Sequence, residues 1–256
     1  MDFDPALSLR ILNNERLRRA HWGEYIDLRG ALALTSDAPL DELNCIESFS
    51  AKRDQLDGLL DIGFSLLRAY DRTPAVHLTP LDRPKGIERV LRARGLACEG
   101  RTAAMALRSD AAAPRADADV EIRIAGPDDV LTFRDIVAPA SAPSWLRTMT
   151  RRVILDSLSE PWHTFYVGYI DHQPAGTLHL LVEGGTAGIY AVATLRSQRR
   201  RGVQTALLAR AIADARAAGC DLICLRTAAD GDARTLFAHT GFEVAHEQTL
   251  WLARDG

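Results

Sequence analysis

Apolar residues in the second half of the chain recur in two spacings, and together these predict a mixed α/β fold. Alternating or continuous apolar runs predict strands at 120–124, 164–170, 175–182, 188–194 and 220–227. Apolar positions three or four residues apart predict helices at 130–137, 144–158, 203–216 and 233–240. The predicted order is therefore β-α-α-β-β-β-α-β-α, followed by a final strand after Gly241 and Phe242.

The first half shows a similar order of elements. The pattern predicts a hairpin of 25–34 and 43–49, a helix at 52–70, a strand at 75–78, a helix at 84–94 and a strand ending at 107. This order matches residues 166–253 and suggests a tandem repeat, with an unrelated α+β domain as the alternative. Residues 108–119 are small and polar without periodicity, which is typical of a linker. We therefore predict two domains, 1–118 and 119–256.

A basic, glycine-containing turn joins the strand at 188–194 to the following helix. It contains Arg199, Arg200, Arg201 and Gly202. The first amides of a helix have no intrahelical acceptor and lie at the positive end of its dipole, so they bind anions. Gly202 lets the backbone approach a ligand closely, and the arginines add positive charge. A pyrophosphate is the expected ligand, and the spacing matches neither a P-loop nor a dinucleotide-binding motif.

The turn resembles the acyl-CoA loop of the GNAT superfamily of N-acetyltransferases. In that family the loop reads Gln or Arg, two residues, Gly, one residue, Gly or Ala; Arg199, Gly202 and Gln204 take these places, and Gln204 departs from the pattern. The short helix ending in Gly241 and Phe242 resembles the family's closing segment. The resemblance covers 120–256, with its specific part at 188–242. It implies a GNAT-like acyltransferase fold with acetyl-CoA as co-substrate.

The same resemblance applied to the first half implies a degenerate GNAT-like domain. Residues 50–56 occupy the position of the phosphate loop but contain no glycine and add Asp54. We expect this half to bind no CoA.

The resemblance also implies a set of CoA contacts. The backbone of the strand before the loop is expected to polarise the thioester carbonyl and to pair with the pantetheine arm. The implied residues are Val192, Ala193, Thr194, Arg199, Arg200, Arg201, Gly202, Val203, Gln204, Thr205, Asp230 and Phe237.

The proton donor for the leaving thiolate departs from the family pattern. Many members carry a tyrosine four residues before the final glycine, where this chain has Phe237. Tyr190, on the strand leading to the loop, is the proposed substitute; otherwise water protonates the thiolate. The general base is not identified, and the candidates are Asp135, His163, His179 and Glu183. The acceptor pocket is expected near residues 138–145, with Trp145 proposed as an apolar wall.

Composition agrees with a cytoplasmic enzyme. A net charge of −3 over 256 residues gives no overall nucleic-acid footprint. No signal peptide and no apolar run long enough to span a bilayer are found, so we expect a cytoplasmic protein without a membrane partner. The four cysteines suit buried free thiols better than disulfides or a zinc knuckle, and no metal is expected.

Three functions are compatible with these features. The first is an acetyl-CoA-dependent N-acetyltransferase that acts on a small-molecule amine, or as second choice on a protein amine, in a ternary complex. The second is a catalytically silent acyl-CoA sensor, which Phe237 and Gln204 keep open. The third, a nucleic-acid module, is disfavoured by the acidic net charge. We expect a monomer or a homodimer.

Overall fold

The computed structural model describes residues 3–108, 111–115, 119–139 and 141–253. The predicted linker at 108–119 therefore lies partly outside the described residues. The helices are α1 Pro5–Ala20, α2 Leu56–Ala69, α3 Ile87–Ala93, α4 Val130–Val137, α5 Ser144–Ser157, α6 Val203–Ala217 and α7 Asp232–His239. The strands are β1 Glu24–Asp27, β2 Leu32–Thr35, β3 Cys45–Glu47, β4 Ala75–Leu78, β5 Leu96–Arg108, β6 Glu121–Ile124, β7 His163–Ile170, β8 Gln173–Glu183, β9 Thr186–Thr194, β10 Leu222–Ala228 and β11 Glu243–Ala253.

Helix α1 was not predicted from the sequence. It begins at Asp4, whose carboxylate accepts hydrogen bonds from the amides of Ala6 and Leu7, with Pro5 in the first turn. Its buried positions include Asn14, Glu15 and Arg19 beside the apolar ones. A helix that buries polar side chains lacks the apolar stripe on which sequence prediction depends.

All eleven strands form one mixed sheet, in the order β1-β2-β3-β4-β11-β5-β10-β9-β8-β7-β6. The order repeats about the β11–β5 pair, since β4, β3, β2 and β1 on one side correspond to β10, β9, β8 and β7 on the other. The last strand of each half is exchanged: β11 lies between β4 and β5, and β5 lies between β11 and β10. The mixed sheet confirms the predicted fold class.

The exchange places side chains from each half in the core of the other. Trp251 of β11 packs with Leu60 and Phe64 of α2 in the first half. Met105 of β5 packs with Leu207 and Ile212 of α6 in the second half. Burial of a large apolar side chain stabilises a protein by about 1.5–3 kcal/mol, so the two halves stabilise each other. The domain boundary at 118/119 stays a prediction. Within the described residues, no helix is long and apolar enough to cross a membrane.

Candidate active site

The parallel strands β9 and β10 separate along their length. They are paired from Thr186 and Leu222 only as far as Ile189 and Leu225, although both strands continue beyond this point. The separation coincides with an irregularity in β9, where Ala191 has φ +48° and the register with β8 shifts. Such a bulge bends a strand and ends its pairing. The β10-facing edge of the last residues of β9 is therefore free to pair with a ligand.

The loop after β9 leads into the start of α6 beside this gap. Arg200 and Gly202 both have left-handed backbone conformations, with φ of 62° and 74°. Gly202 is the N-cap of α6, and no side chain caps the helix. The amides of the first α6 residues have no carbonyl four residues earlier in the helix, so they remain available to an anion.

A cleft of about 1270 Å³ runs between the end of β9, this loop and α7. Its lining includes nine of the twelve predicted CoA contacts: Val192, Ala193, Thr194, Arg199, Arg200, Gly202, Val203, Gln204 and Thr205. Pro139 and Ser141, from the predicted acceptor loop, also line the cleft, whereas Ala140 lies outside the described residues. The structure therefore brings the two predicted parts of the site together.

The polar groups of the cleft fit a CoA molecule. The Thr194 hydroxyl is buried and has no hydrogen-bond partner. Arg199 and Arg200 are exposed, and neither forms an ion pair within the described part of the chain. A pyrophosphate would supply the acceptors that these guanidinium groups and the α6 amides lack.

Three predicted contacts lie elsewhere. The Arg201 guanidinium is paired with Asp171, with Nη2 3.1 Å from Oδ2. Asp230 is exposed on the turn before α7 and does not line the cleft. Phe237 is buried in the core, edge-to-face against Phe242.

The face of α7 that lines the cleft was not predicted. It carries Asp232, Ala233 and Leu236. The helical period contained the signal, because the residue before a core phenylalanine points about 100° away from it. If Phe237 is assigned to the core because it is apolar, the helical period places Leu236 on the exposed face of α7.

Tyr190, the predicted proton donor, is not among the lining residues of the cleft. Its hydroxyl donates a hydrogen bond to Asn14 Oδ1 at 2.7 Å, and the Arg18 guanidinium lies 4.9 Å from the ring centre. Burial raises the pKa of this hydroxyl well above its usual value, with a further contribution from Cys224, so it stays protonated at neutral pH. Its catalytic role stays a prediction.

The base candidates differ in their surroundings. Asp135 is paired with Arg134 and Arg147, and Glu183 is exposed in its hairpin. His163 Nδ1 and His179 Nε2 are 2.7 Å apart and buried. Burial, followed by the neighbouring histidines, lowers the pKa of His163 to about 4 and that of His179 well below its usual value.

Trp145, the proposed acceptor wall, packs elsewhere. It lies against the cluster of Leu34, Leu43 and Met149, where α5 meets the first half. We therefore assign it to the core between the halves.

Among the described residues of the first half, we find no equivalent gap. Its strands β3 and β4 correspond to β9 and β10, but the segment after β4 closes over the end of β3. The Arg83 amide donates to the Phe49 carbonyl at 2.9 Å, and the Ala51 amide donates to the Arg83 carbonyl at 3.3 Å. The Asp82 carboxylate accepts from the Phe49 amide at 2.6 Å. These bonds occupy the backbone groups that a cofactor would need.

Comparison with known proteins identifies the fold. Residues 130–242 match the model of the Acetyltransferase (GNAT) family. A GCN5-related N-acetyltransferase from Kribbella flavida aligns with a TM-score of 0.75 at 19% identity, covering 96% of this chain and 95% of that one. A tandem GNAT protein from the clavulanic acid biosynthesis pathway aligns with a TM-score of 0.65 at 15% identity, covering 89% and 80%. A GCN5-related N-acetyltransferase from Sphaerobacter thermophilus aligns with a TM-score of 0.68 at 16% identity, covering 94% of this chain and 86% of that one. Among curated protein sequences, none matches this chain.

These similarities define the class of protein as an acyltransferase fold. Residues 130–242 match the GNAT acetyltransferase family, whose members use acetyl-CoA. This confirms the resemblance to the GNAT superfamily that we inferred from the basic loop and the Gly-Phe segment.

Proposed function

We propose that the protein transfers an acetyl group from acetyl-CoA to the amine of a small molecule, by direct attack in a ternary complex. CoA lies along the cleft of the second half, with its pyrophosphate at the start of α6. The pantetheine arm pairs with the free edge of β9. The single observation that carries this proposal is the gap between β9 and β10 that ends at the uncapped α6 amides.

The chemistry follows from what the cleft offers. The backbone of Val192 to Thr194 supplies donors that polarise the thioester carbonyl, and the bound geometry brings the amine to the reacting carbon. The amine attacks as the free base, the C–S bond breaks, and the thiolate takes a proton. We propose Tyr190 or water as the source of that proton, since Phe237 has none to give.

The acceptor is expected to enter beside residues 139 and 141, which line the same cleft as the predicted CoA contacts. A small molecule is the favoured acceptor, and Pro139 and Ser141 of the α4–α5 connection border the cleft on this side. A protein amine is the second choice.

The test is the release of free thiol from acetyl-CoA in the presence of a library of small amines. Steady turnover with at least one amine, well above hydrolysis without amine, supports the proposal. The Gly202→Asp variant serves as the matched control, because it alters the phosphate loop and leaves the acceptor side unchanged.

A catalytically silent acyl-CoA sensor is the second candidate. The observation that favours it is the position of Phe237, which is buried and leaves α7 without a hydroxyl at the usual place of the acid. Tight CoA binding with no thiol release from any amine would support the sensor and contradict the transferase.

A further inference from the structure

Three side chains far apart in the sequence converge at one point between α1 and β7. His21 follows the end of α1, Glu160 precedes β7, and His163 begins it. Their Nε2, Oε2 and Nε2 atoms form a nearly equilateral triangle. The His21–His163 edge is 3.1 Å, and both histidines are 3.2 Å from the carboxylate oxygen. All three are ligand atoms for divalent metals.

The size of this triangle fits one face of a zinc tetrahedron. Zinc lies about 2.0–2.1 Å from histidine nitrogen and about 2.0–2.2 Å from carboxylate oxygen, which separates neighbouring tetrahedral ligands by about 3.3 Å. The observed edges are close to this separation. A fourth position remains for water, as in sites with three protein ligands.

Hydrogen bonding alone satisfies this arrangement poorly. Glu160 Oε2 already accepts a hydrogen bond from the Trp162 indole at 2.9 Å. If both imidazoles also donated to it, this single oxygen would accept three hydrogen bonds with two lone pairs. If one imidazole instead donated to the other, its single N–H would be shared between that nitrogen and the carboxylate oxygen. A cation removes the conflict, because the oxygen then gives one lone pair to Trp162 and the other to the metal, and each imidazole gives its own lone pair.

The surroundings of His163 agree with a metal ligand. Its other ring nitrogen, Nδ1, lies 2.7 Å from His179 Nε2. A ligating histidine usually donates its second N–H to a neighbouring group, which fixes the ring and its tautomer. His179 is held in turn by stacking on Phe165, with ring centres 4.3 Å apart. The side chain of His163 is 1% exposed, whereas those of His21 and Glu160 are 17% and 33% exposed, so the open side of the triangle faces solvent.

We propose that His21, Glu160 and His163 bind a divalent transition-metal ion of the zinc type, which clamps the end of α1 onto the second half. The nitrogen and oxygen ligand set favours zinc over magnesium or calcium, which prefer oxygen alone. His21, Glu160 and His163 are not among the lining residues of the CoA cleft. This proposal differs from the expectation that no metal is bound. That expectation rested on the cysteines and left out His21 and His163, which are 142 residues apart in the sequence.

The test is a calorimetric titration of the untagged full chain with Zn²⁺ at neutral pH, after treatment with a chelator. The parent protein should bind one zinc ion per chain. His21→Ala and Glu160→Gln should each weaken the affinity by more than about 100-fold, because loss of an outer partner alone costs about 10–100-fold. His179→Gln should weaken the zinc affinity by about 10–100-fold, because His179 is an outer partner of His163 and not a ligand.

His172→Ala is the matched control, because His172 is exposed in the β7–β8 turn and lies outside the cluster. It should bind zinc like the parent. Zinc should also raise the unfolding temperature of the parent and of His172→Ala but not that of His21→Ala. Circular dichroism before titration checks that each variant is folded. A parent that binds no zinc, or a folded His21→Ala variant with the parent's affinity, would overturn the proposal.

Discussion

The substitution Gly202→Asp tests the proposed phosphate site most sharply. Gly202 has φ +74° at the N-cap of α6, a backbone conformation that aspartate and asparagine tolerate better than other side chains. The new carboxylate would precede the α6 amides and so lie close to a pyrophosphate bound there. At a separation of about 5 Å, two like charges repel by about 0.8 kcal/mol in water and about 3 kcal/mol at the effective dielectric of a protein surface. We expect CoA affinity to fall at least tenfold, which corresponds to about 1.4 kcal/mol.

Gly202→Asn is the matched control for this experiment. It has nearly the same volume and the same backbone requirement without the negative charge, so the affinity ratio of the two variants isolates the electrostatic effect. Calorimetric titration with CoA at low and at high salt measures that ratio. The difference should shrink at high salt, because salt screens exposed charges. If the parent and both variants are folded and bind CoA with equal affinity, the loop does not hold the pyrophosphate.

Three further predictions follow from the structure. Because backbone hydrogen bonds close the first-half gap, the full chain should saturate at one CoA per chain in equilibrium dialysis; a value of two would contradict that reading. If Tyr190 supplies the proton, Tyr190→Phe should lower kcat by about 100-fold with little change in CoA affinity, whereas a kcat within about threefold of the parent would assign it to packing. Burial alone would raise the pKa of Glu47, but Arg19, 2.5 Å away, and His77 hold it well below its usual range. A carboxyl group with a depressed pKa stabilises the folded state above its unfolded pKa of about 4.3, and this stabilisation is lost as the pH falls. Glu47→Gln should therefore lower the free energy of unfolding by about 3–5 kcal/mol at pH 7 and flatten its pH dependence between pH 5 and pH 3, as measured by urea unfolding. Parallel pH curves for the parent and the variant would contradict this.

Local patterns predicted most of the elements. The strand at 75–78 and the helix at 130–137 were predicted with the bounds that the structure gives, since each is a short apolar or amphipathic run with clear ends. Helix α1 was missed because its buried face is partly polar. The exchange of β5 and β11 was also missed, because alternation identifies a strand but does not specify its neighbour.

In the candidate site, too, local sequence predicted some contacts and not others. The phosphate loop was predictable because Arg199, Gly202 and the helix start lie within a few residues of one another. The pairing of Arg201 with Asp171 depends on a turn 30 residues earlier, which spacing along the chain does not reveal. The His21–His163 contact is a still longer-range case, set by the packing of α1 on the sheet.

A crystal structure of the full chain with CoA bound would show directly whether the cofactor occupies the gap between β9 and β10. We expect one CoA per chain, with its pyrophosphate within hydrogen-bond distance of the amides that begin α6 and its pantetheine arm beside Val192 and Thr194. CoA bound in the first half, or bound to the second half away from the gap between β9 and β10, would contradict this expectation.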